Sequence, residues 1–412
     1  MTTAAIIAEY NPFHKGHAYH LEMTRKLTGA DRIIVFMSGD FVQRGEPAII
    51  DKYDRARAAT VAGADAVFEL PLSVSLASAG NFAFGGVKMI DALGFADYIS
   101  FGCEDDDIES LNAAAREELE INSDDSLINE LRSLMSQGLT YPEARDHIIA
   151  SRGNSELAAI LSKPNNNLAI SYIEALIKSK SPIKPLTVSR TGGGHSDGYK
   201  SGDVYASASS IRNLLHSGCN NELINFLPTE EIAALVNYRG GFINNNDFTD
   251  ILFYRIGELI KESGMDKKKF ARILERYSDV TGDLALRIYK YCSICGSYDE
   301  LAAKIWSKNL TYGRIDRVLQ HIIHGIKSDT IDNDELYFHP IAIRKDSMDI
   351  LTEIKNKSQV PLVMRHSDAD KIKDKRAYIN TRLSYSLYKR VYKLHHDLDV
   401  HDESGKYFTL IV

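Results

Sequence analysis

Cysteine is scarce in this chain. There are four among 412 residues, too few for a disulfide scaffold. Cys292 and Cys295 form a single CxxC in a stretch that reads as helix, with no second pair at zinc-site spacing. They are expected to be core thiols on a helix face rather than a metal or redox site. Long apolar runs are missing too, none approaching the roughly 20 residues of a membrane span. Positive charge is not in excess: 49 Lys and Arg against 56 Asp and Glu leave a net charge of −7. Any contact with nucleic acid must therefore come from local basic patches. Met1-Thr2-Thr3 brings no basic n-region, and the apolar run behind it is too short for a signal peptide. No internal repeat or low-complexity tract occurs. A cytoplasmic globular protein is expected. At 412 residues, 44% hydrophobic and 25% charged, it should form two or three ordinary domains.

What is present alternates between strand and helix. Ala4–Ala8, Arg32–Met37, Ala66–Leu70, Tyr98–Gly102 and Leu186–Arg190 are apolar runs separated by helical stretches, one of them Phe82–Leu93. Continuous apolar strands between helices predict a parallel sheet covered on both faces. Glu104–Asn122 reads as an acidic surface helix, and another helix is expected to begin near Ile211. Gly240-Gly241 and Asn244-Asn245-Asn246 form a polar break. Beyond it Asp250–Lys261, Lys267–Tyr277, Gly282–Tyr291, Ser297–Lys308 and Arg314–His324 read as helices. Ile341–Ile343 and Pro361–Met364 are short strand candidates, and Tyr385–Tyr392 reads as a basic aromatic helix. The expectation is an α/β fold: a Rossmann-like parallel-sheet domain over residues 1–238, then a mainly helical domain over residues 239–412.

The residues that carry chemistry gather at strand ends. Asn11-Pro12-Phe13-His14-Lys15-Gly16-His17 joins the first strand to a helix, where α/β folds bind phosphates. Two imidazoles beside a helix N-terminus can donate to a phosphate as charge builds on it, and Gly16 lets the backbone approach a nucleotide. A polar turn with surface histidines would look the same in isolation. Ser38-Gly39-Asp40 and Gln43-Arg44-Gly45 follow the second strand and share that rim. Asp40 there either orients a ligand or histidine or caps its own turn. Gly102 ends the fourth strand and would let a ring lie on the backbone. Lys163-Pro164-Asn165-Asn166-Asn167 offers amides for a base or ribose, or is a plain loop, and Arg190 ends the fifth strand. Ser207-Ala208-Ser209-Ser210-Ile211-Arg212 puts hydroxyls, amides and a guanidinium at a helix start, which suits phosphate. Serine there is also an ordinary N-cap.

Paired, the early HxGH and the late Ser-Ser-Ile-Arg resemble the motifs of the nucleotidylyltransferase superfamily. The resemblance extends over Ile7–His17, Met37–Ala48, Glu69-Leu70-Pro71, Ser100-Phe101-Gly102, Lys163–Asn166 and Ser207–Arg212. In these blocks the chain is similar to the bacterial tRNA(Met) cytidine acetate ligase family, and more loosely at Tyr312–Arg317 and Val360-Pro361-Leu362. The resemblance implies a ligase that activates acetate with ATP as acetyl-AMP and acetylates N4 of the wobble cytidine, C34, of elongator tRNA(Met). It implies ATP binding by Ile7, Ala8, Glu9, Tyr10, Asn11, Pro12, Phe13, His14, Lys15, Gly16, His17 and His20. Gly102, Asn165 or Asn166, and Arg190 complete that set, with Ser209, Ser210 and Arg212 opposite. His14 and His17 would stabilise the α-phosphate, and Asp40 would sit near acetate or the target amine. Mg²⁺ would be held by the triphosphate.

A tRNA substrate requires phosphate contacts from the second half. Lys267-Lys268-Lys269 with Arg272 and Arg276 make one basic face, and Lys304, Lys308, Tyr312, Arg314 and Arg317 a second. A third runs from Lys371 to Lys393. Tyrosines among them could stack on unpaired bases, although each run alone also reads as a solvated helix face. Two other functions compete: a nucleotidylyltransferase passing AMP to a metabolite phosphate, and a non-catalytic RNA-binding protein. The oligomeric state is not encoded in any motif.

Overall fold

A computed structural model describes residues 1–104, 107–189, 205–217, 223, 225–235, 238, 241–308, 310–328, 334–401, 403 and 409–412. Strands β1 (Thr3–Ala8), β2 (Arg32–Ser38), β3 (Ala66–Leu70), β4 (Tyr98–Cys103) and β5 (Lys184–Ser189) form where the apolar runs predict. They pair in parallel in the order β5-β4-β1-β2-β3. Successive side chains enter opposite layers: Ala4 and Ile6 join one core, Ala5 and Ile7 the other, and β2 divides likewise. Burial on both faces is why these strands are apolar throughout rather than alternating. After β3 the chain returns to lay β4 on the other side of β1. The strand order thus reverses between β1 and β4, where a crevice opens beyond their carboxyl ends.

Helices α1 (Lys15–Thr28), α2 (Lys52–Val61), α3 (Leu72–Ser75) and α4 (Ala79–Asp91) connect the first four strands. The acidic stretch becomes α5 (Ile108–Ile121), whose Leu111, Ala114, Ala115 and Ile121 are buried, so only its outer side is surface. Next come α6 (Asp125–Ser136), α7 (Tyr141–Ser151), α8 (Ser155–Leu161) and α9 (Pro164–Ser179). The first three were not anticipated, although Thr140 and Glu143 supply a capping box for α7. Helix α10 (Ala208–Ser217) starts before the expected Ile211 and is followed by α11 (Thr229–Leu235).

The five helices expected next are α12 (Thr249–Glu262), α13 (Lys267–Leu274), α14 (Gly282–Tyr291), α15 (Tyr298–Ile305) and α16 (Tyr312–His324). Then the chain rejoins the sheet. Strand β6 (Pro340–Ile343) runs antiparallel to β3, and β7 (Leu410–Ile411) parallel to β6, which makes seven strands among the described residues. Together they cover the edge that β3 would otherwise leave unpaired. Pro340 opens β6, a strand position where proline is tolerated. Pro361–Met364, expected as a strand, contributes only a bridge between Leu362 and Phe338. Helix α17 (Asp349–Lys357) lies between these segments.

The basic aromatic helix is α18 (Arg376–His396), longer than expected. Tyr385, Tyr388 and Tyr392 point inward and are buried. The Tyr388 and Tyr392 hydroxyls donate to the carbonyls of Ala48 (2.6 Å) and Ile49 (2.5 Å), so these rings are not available to stack on bases. One hydrophobic cluster runs continuously from Ala4 and Ile6 through the bundle to Tyr392. Cys292 is the C-cap of α14 and Cys295 follows it, so both thiols pack on this core from beyond the helix rather than from its face.

Candidate active site

The turn after β1 is held from beneath by groups distant in sequence. Asn11 Oδ1 accepts from the Ile49 amide at 2.9 Å, and the Phe13 amide donates to Glu231 Oε1 at 3.1 Å. The Lys15 amide donates to the Phe226 carbonyl at 2.8 Å. Tyr10, at φ +50, packs edge-on against Phe13 with ring centroids 4.8 Å apart. Above this base the two imidazoles stack, His14 on His17, at 3.7 Å and 20°. The His14 amide donates to His17 Nδ1 at 3.2 Å. A nitrogen that accepts is unprotonated, so the neutral His17 ring carries its proton on Nε2 and presents a donor there. Gly16 is required by space: a Cβ would lie 2.9 Å from His14 Cε1 and 3.0 Å from its Nδ1.

A cleft of about 420 Å³ opens over this turn at the β1/β4 switch point. Of the residues expected to bind ATP, Ile7, Ala8, Glu9, Tyr10, Asn11, His14, Gly16, His17, His20, Gly102, Ser209 and Arg212 line it. Pro12 and Phe13 lie in the turn beneath, and Lys15 turns outward to the Asn225 carbonyl at 2.8 Å. His20 Nε2 bonds Ser100 Oγ at 3.0 Å. Ser210 serves α10 instead, its amide and hydroxyl both bonded to Ser207 Oγ at 3.1 and 2.9 Å.

Asn166 is fully buried, accepts from the Glu104 amide at 3.0 Å and donates to the Ile160 carbonyl at 3.1 Å. It pins α9 to the turn after β4, and the neighbouring Asn167 faces the cleft. Arg190 and the side chain of Asn165 lie outside the described residues. Phe101 and Tyr172, 5.5 Å apart and tilted by 31°, add an apolar wall suited to a flat ring.

Two guanidiniums converge where α10 begins. Arg44 Nη1 donates to Ser209 Oγ at 3.3 Å, and Arg212 Nη2 reaches the same oxygen at 3.4 Å. Arg212 also donates to the Asn11 carbonyl at 2.9 Å and pairs with Glu46 at 3.2 Å. Glu9 accepts from the Gln43 amide at 2.8 Å. Burial raises the Glu9 carboxyl pKa, against the opposing pull of Arg212 and Arg44. Stacked imidazoles, two helix N-termini and two guanidiniums thus face one cleft, an arrangement suited to a polyphosphate. Arg44 was not singled out as a ligand from sequence. Its signal was position, since it follows β2 on the same rim as the HxGH turn.

Asp40 does not line this cleft. It lies in a buried ionic cluster behind it, where Lys52 Nζ approaches Glu69 Oε1 (2.8 Å), Glu403 Oε1 (2.9 Å) and Asp40 Oδ2 (3.6 Å). Arg382 pairs with Glu403, and His339 Nδ1 meets Glu69 Oε2 at 2.7 Å. Burial raises the Asp40 pKa, whereas Lys52 and His339 hold Glu69 low despite burial. Among the described residues no cluster of three or more His, Cys, Asp or Glu side chains could hold a metal ion.

Of the residues expected to touch RNA, Lys267, Lys268 and Lys269 are exposed at the start of α13, capped by Asp266. Arg314 donates to the Asp279 carbonyl at 3.0 Å. Arg317 is buried against Asp279 at 2.9 Å and the Gln43 carbonyl at 3.4 Å, so it joins α16 to the loop after β2.

Comparison with known proteins places this arrangement. The family model for HIGH Nucleotidyl Transferase matches residues 1–402. The tRNA(Met) cytidine acetate ligase of Acetivibrio thermocellus is 33% identical, the match covering 95% of this chain and 96% of the relative. That of Caldanaerobacter subterraneus subsp. tengcongensis is 34% identical with the same coverage. Thermotoga maritima TmcAL bound with alpha-thio ATP superposes with a TM-score of 0.84 at 27% identity, covering 100% of both chains.

Proposed function

The chain belongs to the HIGH nucleotidyl transferase family, among the tRNA(Met) cytidine acetate ligases, and on that footing we propose its reaction. It is an ATP-using ligase that joins acetate to ATP as acetyl-AMP, releasing pyrophosphate. The acetyl group then passes to N4 of the wobble cytidine, C34, of elongator tRNA(Met). The observation that carries this is the convergence of His14, His17, Arg44 and Arg212 on one cleft with an apolar ring wall beside it. Attack of acetate on the α-phosphate builds negative charge on the equatorial oxygens. In this reading His14 and His17 donate to those oxygens, Arg44 and Arg212 with the α10 start hold the departing pyrophosphate, and Gly102 and Phe101 take the adenine. No acid–base residue is required, because positioning and charge stabilisation account for the step. Asp40 acts from behind as a positioning residue for the rim. Mg²⁺ would be held by the triphosphate; among the described residues lining the cleft the one carboxylate is Glu9, whose Oε1 accepts from the Gln43 amide.

Residues 1–238 carry ATP binding and acetyl-AMP formation, and residues 239–412 supply most of the contact with tRNA, the exposed Lys267–Lys269 included. No described helix is long and apolar enough to cross a membrane, and a tRNA substrate places the enzyme in the cytoplasm. The test is incubation with ATP, labelled acetate and total bacterial tRNA, followed by digestion to nucleosides. Label in acetylated cytidine is expected. Its absence from nucleotide-binding protein would sink the proposal and favour transfer of AMP to a metabolite phosphate. His14→Ala and His17→Ala should each slow acetyl-AMP formation by roughly 10²-fold or more, with tRNA affinity retained. Parallel loss of both properties would make the histidines structural.

A further inference from the structure

The nucleotide cleft does not end at Arg44 and Arg212. These residues, with Ser209, also line a second cavity of about 660 Å³ between the loop after β2, α10 and the α15–α16 pair. At its rim stands Tyr312, 57% exposed, stacked with Trp306, itself 45% exposed, at 6.0 Å and 17°. Most described aromatic rings are buried in the core, yet here two lie nearly parallel and open to solvent. That is the form of a platform for an unpaired base. One helical turn on, at i+4 from Tyr312 and so on the same face of α16, Asp316 lines the cavity.

Main-chain packing fixes Asp316 relative to Arg44. Gly45, at φ +78, lets the loop close on α16, where a Cβ would lie 2.3 Å from the Arg317 nitrogen and 2.5 Å from the Asp316 carbonyl carbon. Burial, then the nearby Glu46 and Asp299, push the Asp316 carboxyl up to about 7, against Tyr298 and Arg317. A carboxylate that takes up a proton near neutrality suits a general base.

We propose that this second cavity is the acceptor pocket. An unpaired cytosine stacks on the Trp306–Tyr312 pair and turns its exocyclic amine to the Asp316 carboxylate, facing the acyl-adenylate across the space at Arg44 and Arg212 that the departed pyrophosphate leaves. This rests on the ligase reading above. The amine nitrogen attacks the acetyl carbonyl carbon and an N–C bond forms. The bond from that carbon to the adenylate oxygen breaks, its electron pair leaving on the phosphate of AMP. The proton lost from the amine passes to Asp316. Carboxylates are also the side chains that accept from a cytosine amine, so the same group selects the base and receives its proton.

The test separates two steps in the full-length enzyme: acetyl-adenylate formation from ATP and acetate, and acetyl transfer to total tRNA. Tyr312→Ala and Trp306→Ala should each raise the KM for tRNA by roughly 10-fold, and Tyr312→Phe should restore it. Asp316→Asn should slow single-turnover transfer by about 10²-fold and remove the rise in transfer rate through about pH 7. Acetyl-adenylate formation reports that each variant is folded. Undiminished transfer in Tyr312→Ala and Asp316→Asn overturns the assignment, as does loss of both steps together. Wild-type protein that forms acetyl-adenylate but no acetylated cytidine would overturn the ligase reading instead.

Discussion

At the scale of single residues, the HxGH turn works through space as much as through its imidazoles. His14 and His17 face each other across a stack, and Gly16 is the residue that leaves room for the His14 ring. Gly16→Ala should therefore separate stability from function. Alanine in the first turn of α1 is favoured over glycine by up to about 1 kcal/mol, which offsets the displaced ring, so Tm should change little. Acetyl-adenylate formation should fall about 10²-fold, since a misplacement near 1 Å at a reacting group has that effect. Thermal melts beside ATP–pyrophosphate exchange would show it, and unimpaired exchange would mean the ring tolerates displacement. The spacing of His, Gly and His was plain in the sequence. Which imidazole nitrogen donates was not, because that depends on a main-chain amide three residues earlier meeting His17 Nδ1.

At the scale of elements, the site depends on pieces far apart in the chain meeting beneath one turn. Helix α11 reaches the HxGH turn through Glu231, which accepts from the Phe13 amide and is fully buried. Burial pushes its carboxyl from an ordinary 4.5 up to about 8, so at neutral pH the folded protein holds it protonated and the unfolded chain does not. The sign follows from that difference. Its contribution to stability is fully present below about pH 4.5 and is lost as pH rises through about 8. Glu231→Gln keeps the acceptor for Phe13 and removes the ionisation. It should leave Tm nearly unchanged at pH 4.5 and raise it by at least about 3 °C at pH 8.5. Melts that track wild type across that range would show that Glu231 does not titrate this way. Strands β1 to β6 and most helices were legible from apolar periodicity, whereas the two-residue β7 was not, nor was the pairing of α11 with this turn, since Glu231 reads in sequence as an ordinary surface glutamate.

At the scale of the whole molecule, the C-terminal segments close the fold they follow. Strands β6 and β7 extend the sheet beyond β3, and α18 lays its buried tyrosines on the loop after β2. Lys52 is the knot, fully buried against carboxylates from the turn after β2, from β3 and from Glu403 near the C-terminus. Lys52→Met should cost about 3–5 kcal/mol at pH 7, because it strands buried carboxylates rather than merely deleting an attraction. The deficit should shrink toward pH 5 as those carboxyls take up protons. Denaturant titrations at both pH values would measure it, and a loss independent of pH would show that packing, not charge, is what Lys52 supplies.

The sequence alone determined the parallel sheet, the rim beyond its carboxyl ends and the two helix starts that face the cleft there, because each is written in local periodicity and short spacing. Asp40 illustrates the limit: its motif placed it at the rim, and the tertiary structure turned it inward to Lys52. Arg44 shows the converse, a loop arginine made part of the cleft by α10, which lies far along the chain. Only the folded structure decided which charges are buried, which tyrosines remain open to solvent and which segments cover the sheet edge. Those outcomes depend on long-range packing and desolvation, and neither leaves a mark in a short window of residues.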